Sequence, residues 1–392
     1  MEEKTKRMKH CDIIISGAGI SGLSLLYKAM KSGIWSDQQI IVIDQDRKIS
    51  NDKTISFWKK AETAFDGVIS ATWNKISFFS NAGEKILLDT GSYTYNSIRS
   101  IDFYKECLDY LEAFPNICFV QDKILSVSES AGHCVVLTAH EEYRCGYLFN
   151  SVFAKPELTE TDQYFLQHFK GWRIRVDQEL LALDEAYLMD YRTGQEHGTT
   201  FFYTLPLNND ELFVEYTIFS KALLEPAEYT KKIKIYLSEV LGISQYELLE
   251  EEFGVIPMTT YAFQRSAGRI MNIGTMGGDT RASTGYSFMN IQKTTDLILE
   301  SFKLYGHPFF NSEVIGFKHK LYDATLLEVL DSGAYEGHKL FTDLFKGTKA
   351  TRIFEFLDAE SSLYGDIQIM ISLKVAPFLR QFIKVLTRRL KS

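Results

Sequence analysis

The stretch "CDIIISGAGISGLSLLYKAMKSG", residues 11 to 33, decides the fold. Ile13 to Ser16 read as a short apolar strand, Gly17, Gly19 and Gly22 as a G-x-G-x-x-G turn, and Leu23, Leu26 and Ala29 as one side of a helix. In such a turn Gly17 permits the tight reversal, Gly19 lets a pyrophosphate approach the backbone, and Gly22 allows close helix–strand packing. Ser21 lies at the helix start, where exposed N–H groups receive phosphate. A second strand, "QIIVIDQD", carries Asp44, 22 residues after Gly22, where an acid bonds a ribose hydroxyl. Together these predict an α/β, Rossmann-type nucleotide fold. The motif itself leaves FAD and NAD both open.

A distant segment favours FAD. "GRIMNIGTMGGDTRASTGYSFMNIQ" begins at Gly268 as a strand over Ile270 to Ile273 and passes through Gly274, Gly277 and Gly278. It is predicted to enter a helix near Ser283–Thr284, beside Gly285, giving a second helix start that faces an anion or a flavin. An NAD-only dehydrogenase has no need of such a closing loop.

"LFVEYTIFS", residues 212 to 220, reads as a strand of aromatic and β-branched residues with one carboxylate inside it. Alternation places Glu215 with Phe213, Thr217 and Phe219, and puts Val214, Tyr216 and Ile218 on the other face. A carboxyl on an apolar face is either a structural ion pair or a group held neutral and ready to give up a proton. Glu251 and Glu252, in the acidic run "LLEEEF", read as solvated.

Composition narrows the classes. A net charge of −8 argues against a general nucleic-acid binder. The 28 Phe and 21 Tyr suit either well-filled cores or a long apolar ligand lined by rings. Five scattered cysteines and eight scattered histidines show no ligand spacing, so no metal is predicted and the thiols are expected to be reduced. The polar start "MEEKTKRMKHCD" lacks the apolar core of a signal peptide, and no run reaches membrane-span length.

"NDKTISFW" (51 to 58), "LPLNNDELFVEYTIFS" (205 to 220), "GVIPM" (254 to 258) and "GGDTRASTGYSFMNIQ" (277 to 292), in that order, resemble the motif series of the FAD-dependent lycopene cyclases of bacterial type. "HFKGW" (168 to 172), "LMDYR" (188 to 192) and "FLDAESS" (356 to 362) are similar too. The resemblance implies a glutathione-reductase-like FAD fold and closure of the acyclic ends of lycopene and related carotenes into β rings, through γ-carotene to β-carotene. It implies reduced FAD without net electron transfer, and NAD(P)H as reductant. Glu215 matches the family's acidic residue, and Asp52, Thr54 and Trp58 match a motif beside the flavin. Arg281-Ala282 stands where the family often has Lys-Pro, Lys53 where Arg is common, and Gly274-Thr275 where many related flavoproteins have Gly-Asp.

On this reading Glu215 is the proton donor. Trp58, Trp172, Tyr203, Phe213 and Tyr216 would supply apolar and ring contacts to the polyene and its cation. Arg99, just before a helix capped by Ser100, either reaches the flavin or its phosphates or stays on the surface. Asp190 and Arg192 are expected to pair. Residues 1–60, 98–155 and 253–304 are expected to form the FAD domain, 61–97 and 156–252 an interleaved β-sheet substrate domain, and 305–392 a helical region. The last helix sets Val375, Phe378, Leu379, Phe382, Ile383, Leu386 and Leu390 against Lys374, Arg380, Lys384, Arg388 and Lys391. Such a helix either lies in an anionic membrane interface or docks on its own domain; a lipid-dissolved substrate favours the membrane. The expected location is the cytoplasm, at the inner face of the cytoplasmic membrane. An oxygen-using flavoenzyme acting on a lipophilic isoprenoid and a non-catalytic prenyl-lipid carrier are the competing readings.

Overall fold

The computed structural model of the chain describes residues 8–177 and 184–389, so Leu390, Lys391 and the first seven residues lie outside the described part. The chain opens with β1 (Met8–Ser16), α1 (Ile20–Ser32) and β2 (Ile40–Asp44). It then crosses through β3 (Thr54–Lys59), β4 (Ala71–Trp73), β5 (Lys75–Phe79), β6 (Lys85–Leu88) and β7 (Thr94–Arg99) into α2 (Ser100–Leu111). β8 (Ile117–Gln121), β9 (Ile124–Ser130), β10 (His133–Thr138) and β11 (Glu142–Asn150) follow. Next come β12 (Tyr164–Arg175), β13 (Glu185–Asp190), β14 (Thr199–Pro206), β15 (Glu211–Ser220), α3 (Pro226–Ile235) and β16 (Glu247–Thr259). The short β17 (Ser266–Ala267) and β18 (Ile270–Asn272) lead to α4 (Phe288–Tyr305). α5 (Phe317–Asp331), α6 (Gly337–Gly347), α7 (Ala350–Leu357), α8 (Leu363–Ser372) and α9 (Val375–Arg389) close the described chain.

Three sheets result. The first runs β17-β18-β11-β1-β2-β8, with β10 and β9 continuing from β11. β1 sits at its centre, parallel to both β11 and β2. Covered on both faces, it needs the unbroken apolar run Ile13, Ile14, Ile15, all buried. The second sheet has the order β16-β12-β15-β14-β13-β5-β6, and β3, β7 and β4 make a third, small sheet. β16 runs past residue 252, so the strand carries the substrate sheet beyond the sequence-based boundary.

The second sheet has a core on each face, because its strands alternate apolar side chains both ways. On one face Val214, Tyr216 and Ile218 pack with Trp172 and Phe202 against Tyr229, Ile233 and Tyr236 from α3 and the turn after it. Phe202 and Tyr236 stack there at 3.8 Å between ring centroids. The other face joins Phe213 and Phe219 to Trp58, Tyr95 and residues of α5 to α7. Alternation along β15 therefore holds as read. Asp190 and Arg192 do pair, at 2.5 Å, and Tyr236 donates to the same carboxylate.

α9 divides its faces. Phe382, Val385 and Leu386 pack onto Leu321 and Ala324 of α5, while Val375, Leu379 and Ile383 stay exposed. Two of its cations sit at the edge of the packed side: Lys384 and Arg388, themselves part-exposed, both pair with the buried Glu328 of α5.

Candidate active site

The nucleotide end is built as its glycines require. Gly17 has φ +97°. A Cβ on Gly22 would sit 2.1 Å from the Gly17 carbonyl oxygen and 2.9 Å from Ile15, so only glycine allows the helix this close to β1. A Cβ on Gly19 would meet nothing within 4 Å, which leaves that side of the turn open for a pyrophosphate to approach. Asp44 accepts the Ala18 N–H at 2.7 Å and so ties the end of β2 to the turn. Gly274, φ +63°, brings the second glycine loop to the start of α1; a Cβ there would lie 2.7 Å from Ser21 Oγ. These residues fit a dinucleotide lying between the two loops.

α4 starts at Phe288, four residues later than the predicted Thr284, and its first residue is preceded by Ser287, whose side chain makes no capping bond. The preceding turn is used otherwise. Gly285 has φ +73°, and a Cβ there would collide with Gln167 Oε1. Gly277 packs on the Asn272 carbonyl, and Gly278 adopts φ +80°. Ser283 donates to Asp323 at 2.7 Å, and Thr284 Oγ1 accepts from the Tyr286 N–H. Arg281 is fully buried and holds Asp323 with two bonds of 2.6 and 3.0 Å while donating to the Phe356 and Leu357 carbonyls. The arginine that replaces the family's lysine thus clamps the glycine loop to α5 and to the end of α7.

The acid site crosses four strands. The register places Tyr203 of β14 opposite Glu215 of β15, Glu215 opposite Gly171 of β12, and Gly171 opposite Glu252 of β16. Side chains opposite one another share a face. Gly171 contributes none, and it cannot: a Cβ would lie 2.5 Å from the Phe213 ring and 2.9 Å from Glu252 Cγ. The gap is filled by the Phe213 ring and by Glu252, and the buried Glu215 lies in the same cross-strand row on the same face. Glu215 accepts from Thr217 Oγ1 at 2.6 Å, and Glu252 from Thr54 Oγ1 at 2.8 Å. The second oxygen of Glu252 has no hydrogen-bond partner.

Burial pushes the Glu215 carboxyl up to about 8, with the neighbouring Glu252 adding to the rise and Thr217 opposing it. Burial likewise raises Glu252, to about 7, against the hydrogen bonds from Thr54. The pair therefore holds a proton at neutral pH. This corrects the reading of Glu252 as solvated. Glu251 points to the opposite face, half-exposed, where it accepts from Trp172 Nε1 and pairs with Lys170.

Rings wall the same face. The Tyr203 and Tyr286 hydroxyls lie 3.2 Å apart. Burial drives the phenols of Tyr95, Tyr203 and Tyr286 well above their ordinary range, and the charge of Glu215 contributes at all three. Trp58 meets Tyr286 edge-on at 4.5 Å, stacks on Phe354 at 5.1 Å, and donates Nε1–H to Asp358 at 2.9 Å. Burial raises that Asp358 to about 6. Phe213 lies on the acid face, beside Gly171.

The other predicted residues divide. Asn51 to Thr54 join the two domains at the acids. The Asp52 and Lys53 N–H groups donate to Ser100 Oγ, Tyr104 donates to the Asp52 carboxylate, and Thr54 reaches Glu252. Burial would raise Asp52, but Ser100, Lys53 and Tyr104 outweigh it and hold the carboxyl below its usual range. The Ser100 hydroxyl, expected to cap α2, grips this segment instead. Arg99 pairs with Glu250 at 2.6 Å, beside Asn51 on the same carboxylate. Trp172 and Tyr216 lie on the far face with α3 and are not brought to the acids. Their one-residue offset from Gly171 and Glu215 is enough to send them there.

The fold is that of FAD-dependent flavoproteins. The chain aligns over 96% of its length with all of a flavoprotein/dehydrogenase from Cytophaga hutchinsonii, at 11% identity and a TM-score of 0.66. It matches HpxO from Klebsiella pneumoniae, crystallised with FAD, over 93% of this chain and all of that one, at 15% identity and a TM-score of 0.55. Within that fold class the chain belongs to the lycopene cyclase family, whose model, described as "Lycopene cyclase protein", matches residues 12–382. A lycopene beta-cyclase of Pseudescherichia vulneris is 27% identical over 191 residues, 47% of this chain and 48% of that protein. A chloroplastic neoxanthin synthase of Solanum lycopersicum is 31% identical over 150 residues, 35% of this chain and 29% of that protein. The chain thus matches about half the length, or less, of these curated relatives.

Proposed function

We propose that the chain is a flavin-dependent lycopene β-cyclase, which closes acyclic carotene ends into β rings without net redox change. The observation that carries this reading is the pair of buried carboxyls, Glu215 and Glu252, sharing an aromatic-walled face across Gly171. A polyene end offers no polar handle, so binding rests on burial and on rings. Of the residues expected to touch it, Trp58, Tyr203 and Phe213 keep that role; Trp172 and Tyr216 do not.

Glu215 gives its proton to C2 of the terminal double bond and leaves a tertiary cation at C1. The C5=C6 pair attacks C1, the charge moves to C5, and C6 loses a proton to form the ring. Glu252 is the carboxylate placed to take that proton, and exchange between the two acids restores the starting state. The faces of Tyr203, Tyr286 and Trp58 stabilise the cation by about 0.5–2 kcal/mol each and present no strong nucleophile. Gly17, Gly19, Ser21, Gly22, Asp44, Asp52, Thr54, Arg99 and the loop through Gly277, Gly278, Thr284 and Gly285 are assigned to FAD. Reduced FAD, when bound, supplies negative charge that favours a nearby cation. NAD(P)H is assigned as the reductant, and the inner face of the cytoplasmic membrane as the place of work.

Purified protein, lycopene and chemically reduced FAD under strict anaerobiosis form the test. A cyclic product of unchanged mass is expected, and an absolute need for oxygen would falsify the reading.

A further inference from the structure

Between α5, α6, α7, α8 and α9 lies a cavity of about 380 Å³ with almost wholly apolar walls. Leu326, Phe341, Leu344, Phe356 and Phe382 line it. At one side it reaches Ser283 and Thr284, directly before Gly285 and the Tyr286 that meets Tyr203. At another its wall includes Met370, Val375 and Leu379, which are themselves exposed to solvent.

Those exposed residues belong to a larger strip. On α8, Leu363, Ile367 and Ile371 repeat at helical spacing, as do Val375, Leu379 and Ile383 on α9; all six are 53–71% exposed. Aligned exposed aliphatics over two adjacent helices form a patch that a soluble surface rarely carries without a partner. Beyond Asp366 the charge along the strip has one sign. From residue 367 to the end the sequence contains no Asp or Glu and six Lys or Arg. Lys374 and Arg380 are exposed beside the strip, and Asp366, the last acid, is buried under Lys318 and Ser361. An apolar strip with cations beside it and no acid from Ile367 onward complements an anionic lipid surface, with side chains entering the acyl region and cations at the headgroups.

We infer that the α8–α9 face docks on an anionic phospholipid bilayer, and that the cavity behind it is the entrance through which an apolar chain leaves the bilayer. This rests on the proposed function for the identity of the chain that enters, but docking does not depend on any chemistry at Glu215. The arrangement also divides the labour within α9: Lys384 and Arg388 tie the helix to the buried Glu328, which keeps Val375, Leu379 and Ile383 on the outward side.

The test uses the full chain with vesicles of phosphatidylcholine alone or mixed equally with phosphatidylglycerol. Flotation with the mixed vesicles is expected, at least tenfold above that with phosphatidylcholine. The double variant Ile371→Asp/Ile383→Asp is expected to lose it while melting at the wild-type temperature, since both positions are exposed. Tryptophan emission of Leu379→Trp is expected to be quenched by brominated acyl chains in the mixed vesicles. Absence of flotation, flotation indifferent to phosphatidylglycerol, or a double variant that floats like the wild type each overturns the docking face. So does a dimer in ultracentrifugation that the double variant dissolves, because the strip would then cover a second copy. Vesicles loaded with lycopene read the entrance: the floated wild type, released from lipid by detergent exchange, is expected to retain pigment, cyclised or not. Flotation without pigment retention overturns the entrance. Pigment retained but unchanged after chemically reduced FAD is added under anaerobiosis overturns the cyclase reading instead.

Discussion

Replacing Glu215 by glutamine separates a buried neutral acid from an ordinary charged one. Glutamine keeps the shape and an oxygen for the 2.6 Å bond from Thr217, but it never ionises. In the wild type the folded state holds the Glu215 proton up to about 8, against 4.5 for the free side chain. Below 4.5 both folded and unfolded chains are protonated, and the proton's contribution to stability is fully present. As pH rises the unfolded chain ionises first, so stability falls by up to about 1.4 kcal/mol per pH unit until the folded acid ionises as well. Across that window the loss is on the order of a few kcal/mol. Because Glu252 is coupled to it, the titration measured belongs to the pair. Urea unfolding at pH 4.5, 6.5 and 8.5 is the assay. The Gln variant is expected to gain on the wild type by several kcal/mol between the first and last pH, and to lose turnover at all of them. A stability difference independent of pH would show that the acid is not held neutral. Near-normal cyclisation by the variant would remove it as the donor.

Four further outcomes follow from named contacts. Glu252→Gln keeps the Thr54 bond but cannot take the ring proton, so in D2O lycopene is expected to lose most ring formation while FAD stays bound; wild-type rates would reassign the base. Gly171→Ala drives a methyl against Phe213 and Glu252, and is expected to cost about 1–3 kcal/mol in urea unfolding together with turnover. Gly22→Ala pushes α1 away from β1 by way of the Gly17 carbonyl, and is expected to yield protein without flavin absorbance. Arg281→Ala leaves Asp323 charged in the interior, and a loss of about 3–5 kcal/mol is expected in the same assay, with Arg281→Lys recovering part of it.

How much of this the sequence could say depended on the range of the interaction. The turn through Gly17, Gly19 and Gly22 was legible because each glycine answers a constraint set within a few residues. Alternation placed Glu215 with Phe213 and Phe219, since a strand's two faces are fixed locally. Trp172 and Tyr216 were misjudged for the opposite reason: aromatic character says nothing of face, and their one-residue offset from Gly171 and Glu215 had to be weighed. Glu252 was missed because an acidic run on an edge strand ordinarily faces water. The signal was present, for Phe253 and Val255 alternate with Glu252 and Gly254 and claim the α3 side, where Phe253 meets Tyr229. Turning the acids inward requires knowing that β12 lies beside β16 with a glycine in register, which is tertiary information. The same holds for Arg281, whose partner stands 42 residues on.

A pair of acids suits the proposed cyclisation better than one. A lone carboxyl that had released its proton into a dry face would become a buried anion, and the charge would be costly until the proton came back. With Glu215 protonated and Glu252 ionised, the face would carry a single negative charge before the first proposed transfer and after the second; only its position would change. Threonine hydroxyls serve each end of that exchange, Thr217 at Glu215 and Thr54 at Glu252. Thr54 belongs to β3, which starts in the Asn51–Thr54 segment held by Ser100 and Tyr104. Glu252, the proposed acceptor, is therefore anchored to the nucleotide-binding half of the molecule, and Glu215, the proposed donor, is anchored within the substrate sheet. A residue larger than glycine at 171 would collide with Phe213 and Glu252, so the row that carries both acids depends on the absence of a side chain there.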